Sequence, residues 1–203
     1  LELWSPENPK LYDVVIKAET DELNDQIGFR SIETKGQDIL LNGKSIFLRG
    51  ICFHEESPFP NQGRASRMDE AEILFGWAKE LNCNFVRLAH YTHNENMTRA
   101  ADRLGLLIWA EIPVYWNMAW DNQATCNNAK NQLIEMIQRD KNKASIILWS
   151  VSNETPLSLK ERDDFLLELV KITKQIDPTR LTTAALHTAD PTVFTSTQTK
   201  FKM

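Results

Sequence analysis

In Ser145-Ile-Ile-Leu-Trp-Ser-Val-Ser-Asn-Glu154, an apolar run ends abruptly in an amide and a carboxylate. Residues 146–151 are rich in β-branched side chains, and Pro156 follows shortly afterwards. A run of that length, followed by a residue that breaks regular structure, is typical of a strand buried on both faces. Such strands form parallel sheets covered by helices, in which the chemistry lies just past the carboxyl ends of the strands. The stretch therefore predicts an α/β fold with Glu154 at the functional edge of its sheet.

Strand-like and helix-like segments alternate on both sides of this stretch. The predicted strands cover residues 46–52, 84–89, 106–111, 146–151 and 181–186, and the predicted helices cover residues 68–82, 94–104, 128–141 and 159–176. Each interval between strands is long enough for a helical crossover, so the strands are expected to be parallel. Such units in a row indicate either an open doubly wound sheet or a (β/α)8 TIM barrel.

Polar and aromatic residues follow the predicted strands, and they favour the barrel. They are His54-Glu55-Glu56, His90-Tyr91, Glu111 and Asn153-Glu154. No Gly-x-Gly-x-x-Gly follows a strand, which weakens a dinucleotide site, whereas residues from several strand ends that meet at one face are typical of a barrel. Because a whole barrel takes about 250 residues, we predict a partial TIM barrel of about the first four to five βα units.

The first 33 residues have no helix signal and are predicted to be β structure. A strand-like run at residues 11–18 follows a proline-punctuated turn, residues 21–26 are a polar loop, and residues 28–33 resume an alternating pattern. Two strands alone would be marginal, so we expect the rest of an antiparallel β domain upstream of Leu1 and a chain that is a piece of a longer protein. Asn42-Gly43 then predicts a hairpin turn.

Composition excludes several classes of function. The 203 residues are 42% hydrophobic and 25% charged, as in ordinary globular proteins. A net charge of −5 and the lack of a Lys/Arg-rich run argue against nucleic acid, and the apolar stretches are shorter than the roughly 18 residues of a membrane span. The cysteines (Cys52, Cys83 and Cys126) have neither metal-ligand spacing nor a disulfide pattern, so we predict no metal and no cofactor.

Two strand-end carboxylates are candidates for chemistry on a sugar. Glu154 follows Asn153 and lies near several tryptophans, which suits a general acid. Glu111 ends a neighbouring predicted strand, at about 5 Å between backbones. A retaining glycosidase needs two carboxyl groups about 5–5.5 Å apart, so geometry alone allows Glu111 and Glu154 to be that pair.

Other residues are expected to surround the same rim. His54 and His90 occupy equivalent positions in successive units, and their neutral rings could donate hydrogen bonds to sugar hydroxyls. Trp116 is expected to stack on a sugar, whereas Trp149 is expected to pack in the core. Arg87 lies inside a strand and needs a carboxylate partner, for which Glu111 and Glu154 are the candidates.

Seven motifs in order resemble glycoside hydrolase family 2, the β-galactosidase and β-glucuronidase family. They are Trp4-Ser-Pro-Glu-Asn-Pro-Lys-Leu-Tyr12, Ile27-Gly-Phe-Arg30, Leu41-Asn-Gly-Lys-Ser-Ile-Phe-Leu-Arg-Gly50, His54-Glu55, Val86-Arg-Leu-Ala-His-Tyr91, Asp102-Arg-Leu-Gly-Leu106 and Trp149-Ser-Val-Ser-Asn-Glu154. The resemblance covers residues 1 to about 194. It implies a retaining exo-β-glycosidase, of β-galactosidase type first and β-glucuronidase type next, acting on a terminal β-linked sugar.

The resemblance also implies a domain organisation. Residues 1–33 would end an immunoglobulin-like β-sandwich, and residues 34–203 would be the first half of the catalytic barrel. The upstream domains and the second half of the barrel would then be partners of this chain, in a parent protein that could be a homo-oligomer.

The resemblance assigns roles residue by residue. Glu154 matches the general acid/base, and Asn153 matches the amide that binds the sugar's 2-hydroxyl. His54 and His90 match active-site histidines, with Tyr91 and Trp116 as further substrate-binding candidates, and Glu111 becomes a supporting residue. The nucleophile would be a second Glu on a later barrel strand, beyond the end of this chain.

The sequence departs from the family pattern in four places. Thr92 stands where the family has Pro, and Lys143 where it has His. Metal-dependent members carry an acid-x-His pair where this chain has Tyr115 and Asn117, so no magnesium site is predicted. Residues 195–203 no longer look like the family and are predicted to be a polar tail.

Two other functions remain open. An endo-β-glycanase of a related barrel family also ends its fourth strand in Asn-Glu, although residues 28–30 and 42–44 argue against it. The chain by itself could also be an inactive carbohydrate-binding half barrel, because a half barrel exposes two sheet edges and would lack the nucleophile.

Overall fold

The computed structural model describes residues 1–157 and 159–186. Its elements, in chain order, are β1 (Tyr12–Lys17), β2 (Glu22–Ile27), β3 (Ile32–Lys35), β4 (Asp38–Leu41), β5 (Lys44–Ile46), β6 (Gly50–Phe53), α1 (Met68–Glu80), β7 (Phe85–Leu88), α2 (Glu95–Leu104), β8 (Leu107–Glu111), α3 (Gln123–Asp140), β9 (Ile146–Asn153), α4 (Lys160–Ile176) and β10 (Leu181–Ala185). They form a β1–β2 ribbon, a three-stranded β3–β4–β5 sheet and a five-stranded sheet in the order β10-β9-β8-β7-β6.

The five-stranded sheet is parallel throughout, and a helix connects each pair of successive strands. This confirms the predicted series of βα units. All eight residues of β9 are buried, as expected for a strand covered on both faces. Trp149 lies in the core and donates through Nε1 to Asp177 Oδ2 at 2.8 Å, so the prediction that it packs is confirmed.

The prediction for residues 21–33 is wrong in two respects. The polar loop of residues 21–26 is mostly strand β2, which pairs with β1 from Tyr12↔Ile27 to Lys17↔Glu22. Most of β2 is exposed, so its backbone hydrogen bonds to β1 form without the alternating apolar pattern that would predict a strand. Residues 28–31 are irregular, and they pass so close to Ala144 and Trp4 that a Cβ on Gly28 would lie 2.8 Å from Ala144 Cβ and 2.9 Å from Trp4 Cδ1.

The predicted hairpin at Asn42-Gly43 is confirmed. Both residues have positive φ, 53° and 75°, as a two-residue hairpin turn requires, and they join β4 to β5. The single strand expected at residues 46–52 is instead two strands in different sheets, β5 and β6. The connecting residues bend because Asn84 binds them: its Oδ1 accepts from Arg49 N at 2.8 Å and its Nδ2 donates to Phe47 O at 3.0 Å.

The predicted helices agree with the structure except at the start of α3. This helix begins five residues before the predicted start, because Asn122 caps it. The Asn122 side-chain oxygen accepts from Ala124 N at 2.9 Å and from Thr125 N at 3.2 Å. Among the described residues, every helix is too short or too polar to cross a membrane.

Buried contacts join the amino-terminal segment to the parallel sheet. Trp4 is fully buried and its Nε1 donates to Asp102 O at 2.8 Å. Arg30 donates through Nε to Ala144 O at 3.0 Å, at the start of β9. Lys143, which stands in place of the family's histidine, is buried with Nζ 3.5 Å from Asp25 Oδ2 on β2 and 3.3 Å from Glu95 Oε1 on α2. The amino-terminal end of β9 is thereby held by side chains from both regions.

Candidate active site

The parallel sheet brings the predicted site residues to one rim. His54 follows β6, His90 lies two residues after β7, Glu111 ends β8 and Asn153 ends β9, with Glu154 directly after it. These positions are the carboxyl ends of four adjacent parallel strands. The rim is the face on which barrel enzymes carry their chemistry.

Glu111 is a buried carboxylate that accepts hydrogen bonds from three side chains. Arg87 Nη2 lies 2.9 Å from Oε1 and 3.0 Å from Oε2 of Glu111. His90 Nδ1 is 2.7 Å from Oε1, and Trp109 Nε1 donates to Oε2 at 3.0 Å. Of the two partners predicted for Arg87, the structure therefore shows Glu111. Because both oxygens are engaged by positioned donors, this carboxylate is poorly placed to attack a sugar carbon.

His90 has its tautomer set by Glu111. Nδ1 lies 2.7 Å from Glu111 Oε1 and 3.2 Å from Arg87 Nη2, and the shorter contact favours a proton on Nδ1, since a carboxylate can only accept. In the neutral ring, Nε2 is then an acceptor. The half-buried imidazole can therefore accept a hydrogen bond from a hydroxyl group at the rim.

Asn153 is oriented by the same arginine. Arg87 Nη2 donates to Asn153 Oδ1 at 2.6 Å, so the side-chain oxygen is occupied. The backbone of Asn153 is held as well, because its N–H donates to Val114 O at 2.8 Å and its carbonyl accepts from Trp116 N at 3.2 Å. With Oδ1 engaged, the Nδ2 amide is the group that Asn153 has for donating to a ligand.

Glu154 is exposed at the rim and lies beside an indole. Trp116 Nε1 donates to Glu154 Oε2 at 3.2 Å. Glu154 has φ +49° and Trp116 has φ +54°, a left-handed conformation that is rare for large side chains and costs on the order of 1–3 kcal/mol for each residue. The Glu154 backbone is held there by β10, since its N–H donates to Ala185 O at 2.9 Å.

Aromatic rings form a row along the rim. The ring centroids of His54 and His90 are 5.3 Å apart, those of His90 and Tyr115 6.4 Å, and those of Tyr115 and Trp116 5.5 Å. Tyr91 contacts His54, the first ring of this row, and its hydroxyl lies 3.3 Å from His54 Nδ1. The row therefore runs from the two histidines to the tryptophan that touches Glu154.

Sequence reasoning missed an ion pair next to the rim, in which the carboxylate is buried and the arginine is exposed. Glu55 is buried, pairs with Arg64 and accepts a hydrogen bond from Asn94 N at the start of α2. Arg64 also lies over the ring of Tyr91, with 4.9 Å from Cζ to the centroid. The His54-Glu55 motif marked one partner, but Arg64 lies in a loop without a pattern that would have identified it.

A second missed residue is His93. It is buried, and its Nε2 donates to Ala89 O at 2.9 Å. Burial is the main cause that lowers the pKa of His93 from 6.5 to about 4, so the ring is neutral at ordinary pH. Its ring lies 5.2 Å from that of Tyr91. His93 therefore packs against Tyr91, the tyrosine that contacts His54.

No group of three or more His, Cys, Asp or Glu side chains that could hold a metal ion occurs within residues 1–157 and 159–186. The three cysteines are free thiols.

Known proteins that are similar to this chain in sequence or fold include glycosidases. The chain is 36% identical over 192 residues to a beta-galactosidase of Thermoanaerobacterium thermosulfurigenes, covering 90% of this chain and 25% of that protein. It is 35% identical over 200 residues to a beta-glucuronidase of Bacteroides fragilis, covering 90% and 28%. A crystal structure of a GH2 beta-galacturonidase from Eisenbergiella tayi bound to galacturonate superposes with a TM-score of 0.85 at 30% identity, covering 91% of this chain and 33% of that one.

These alignments show that the chain spans about a quarter of the length of the curated relatives it matches. A family model described as "Glycosyl hydrolases family 2" matches residues 1–30, and one described as "Glycosyl hydrolases family 2, TIM barrel domain" matches residues 32–202. The match extends past residue 194, so the prediction that the resemblance ends there is wrong; residues 195–203 themselves lie outside the described structure. The chain belongs to family 2 of the glycosyl hydrolases.

Proposed function

We propose that this chain carries the acid/base side of the active site of a retaining exo-β-glycosidase that hydrolyses terminal β-linked sugars. In this proposal residues 1–33 end an immunoglobulin-like domain and residues 34–203 form the first half of a TIM barrel. The separate family matches to residues 1–30 and 32–202 support a boundary near that point. Within residues 1–157 and 159–186, β6 and β10 are the two outer strands of the parallel sheet, and these are the edges at which further barrel strands would join.

The observation that carries the proposal is the placement of Glu154. Its carboxylate is exposed at the rim, is touched by the Trp116 indole and follows directly on Asn153, whose amide is aimed by Arg87. A carboxyl group that donates and then recovers a proton needs access to both the leaving oxygen and water. Among the two strand-end glutamates, Glu154 has that access and the buried Glu111 does not.

In the proposed mechanism Glu154 acts in both chemical steps. As an acid it gives its proton to the glycosidic oxygen while a second carboxylate attacks the sugar carbon, and as a base it then takes a proton from the water that hydrolyses the glycosyl-enzyme intermediate. The hydrogen bonds of Glu111 to Arg87, His90 and Trp109 argue against Glu111 as the attacking group. The nucleophile is therefore expected on another part of the protein, and the pairing of Glu111 with Glu154 is not retained.

The sugar is proposed to lie over His54, His90 and Asn153. The Asn153 amide would donate to the 2-hydroxyl, and the Nε2 of His90 would accept from a neighbouring hydroxyl. A β-galactoside is the first candidate, since the beta-galactosidase relative is 36% identical, and a β-glucuronide is the second, since the beta-glucuronidase relative is 35% identical. Tyr91 would act through His54 rather than by direct contact, because its hydroxyl already lies against the imidazole.

The test is hydrolysis of a panel of nitrophenyl β-glycosides by the full-length protein and its Glu154→Gln variant. We expect one sugar to be cleaved and the variant to lose on the order of 10²–10⁴-fold in rate. Glu161→Gln, on the exposed side of α4, is the matched control and should keep full activity. Unchanged activity of Glu154→Gln on the preferred sugar would overturn the assignment. Size-exclusion chromatography of the same protein tests whether it is a homo-oligomer.

A further inference from the structure

Two large aromatic side chains are exposed beside Glu154. Trp116 is 63% exposed and Tyr115 is 38% exposed, and their rings meet edge to face at a centroid distance of 5.5 Å. Single exposed apolar residues are common on protein surfaces, but a contacting pair at a strand-end rim is less so. The indole is also held in place, because Trp116 N donates to Asn153 O and Nε1 donates to Glu154 Oε2.

Because Glu154 is the proposed general acid, its position indicates which part of the substrate Tyr115 and Trp116 would contact. An acid must lie within about 3 Å of the oxygen that it protonates, and in glycoside hydrolysis that oxygen belongs to the leaving group. Trp116 Nε1 is 3.2 Å from Glu154 Oε2, so the indole lies within a few ångströms of the first atoms of the leaving group. In the proposed function, the histidines at the other end of the aromatic row contact the sugar.

Building on the proposed role of Glu154, we propose that Trp116, with Tyr115 packed against it, is the binding platform for the leaving group. A flat ring with an apolar face, either a phenol or a second pyranose, gains binding free energy by stacking on the exposed indole. A methyl group is too small to stack in this way. The platform therefore makes the enzyme favour glycosides whose leaving group contains a ring. The indole N–H has a second effect, because it donates a hydrogen bond to Oε2 of the proposed acid.

Two substitutions separate the ring from the N–H group. Trp116→Phe keeps an aromatic face and removes the hydrogen bond to Glu154, while Trp116→Ala removes both. The substrates are the methyl glycoside, an aryl glycoside and a disaccharide of the sugar that the full-length wild-type protein cleaves. Comparing Ala with Phe cancels the effect of the lost N–H, since both variants lack it.

We expect kcat/KM to be about 3- to 10-fold lower for Trp116→Ala than for Trp116→Phe on ring-bearing substrates, and the two variants to be equal on the methyl glycoside. A loss on the aryl glycoside alone identifies a phenolic leaving group, and a loss on both the aryl glycoside and the disaccharide identifies a ring of either kind. Equal kcat/KM for the two variants on all three substrates would overturn the platform. A wild-type protein that cleaves none of the β-glycosides would instead overturn the proposed function.

Discussion

Arg87 joins Glu111 to Asn153. Its Nη2 lies 2.9 Å from Glu111 Oε1 and 2.6 Å from Asn153 Oδ1, so one guanidinium from β7 connects the carboxyl ends of β8 and β9. The arginine thereby balances a buried carboxylate and sets the direction of the amide next to the proposed acid. It has no need to touch the substrate to affect the reaction.

Replacing Arg87 should therefore affect stability and activity differently. Arg87→Met leaves Glu111 buried without its counter-ion and should lower the free energy of unfolding by about 3–5 kcal/mol. Arg87→Lys keeps the charge but loses the planar fork, so we expect a smaller loss of stability and a large fall in kcat/KM. Urea unfolding and steady-state kinetics measure the two effects.

The matched control for Arg87 is Arg103→Met, because Arg103 is exposed on α2. It should change the free energy of unfolding by no more than about 0.5 kcal/mol. If Arg87→Met were as stable as this control, the account of a buried, charge-balanced Glu111 would be wrong.

His93 should make stability depend on pH. Its pKa is lowered from 6.5 to about 4 in the folded protein, chiefly by burial, so the unfolded chain binds more protons between those values. Stability from this group is fully present above pH 6.5 and is lost as the pH falls towards 4. Between about pH 7 and pH 5 the loss should be about 2 kcal/mol.

The measurement is the difference between the wild-type protein and His93→Gln in urea unfolding at several pH values. A difference is needed because burial also raises the pKa of Asp102 to about 6, and that group stabilises the fold in the opposite direction, losing its contribution as the pH rises from 3.8 to 6. Parallel pH profiles of wild type and variant would contradict the buried, neutral state of His93.

Gly105 should be intolerant of any side chain. It ends α2 with φ +71°, and a Cβ there would lie 2.4 Å from Pro6 O in the amino-terminal segment. Gly105→Ala combines an unfavourable backbone conformation with a backbone clash, so we expect a loss of at least about 2 kcal/mol. Gly76→Ala is the contrasting change, because Gly76 lies inside α1 with open space around it, and it should gain about 0.5–1 kcal/mol. Thermal unfolding of both variants checks the pair, and equal stability would count against the contact with Pro6.

The parallel sheet was predictable from sequence because buried strands and amphipathic helices alternate with regular spacing. This alternation predicts the buried run before Asn153 and the strand end at Glu111, and the position of Glu154 follows from it. Strand β2 was not predictable, because its exposed polar residues carry no alternating signal and its pairing with β1 rests on backbone hydrogen bonds. The break between β5 and β6 depends on Asn84, which is distant in sequence.

The site was predictable in its residues more than in its connections. Glu111 and His90 could be chosen from their position at or near a strand end, and Arg87 could be chosen because a charged residue inside a strand needs a partner. The bond from Arg87 to Asn153, the role of Tyr91 behind His54 and the contribution of His93 depend on side-chain directions that one sequence does not specify. From the sequence, Trp116 was predicted to stack on the sugar. In the structure its indole donates to the Glu154 carboxylate, so we propose that it binds the leaving group instead.

The central claim is that Glu154 is the acid/base, and the most direct test is the Glu154→Ala variant of the full-length protein with azide. On a dinitrophenyl glycoside, whose leaving group needs no acid, we expect the intermediate to form, the rate to rise with azide, and the product to be the β-glycosyl azide. A variant that still hydrolyses the methyl glycoside at the wild-type rate, or that yields an α-glycosyl azide, would contradict the claim.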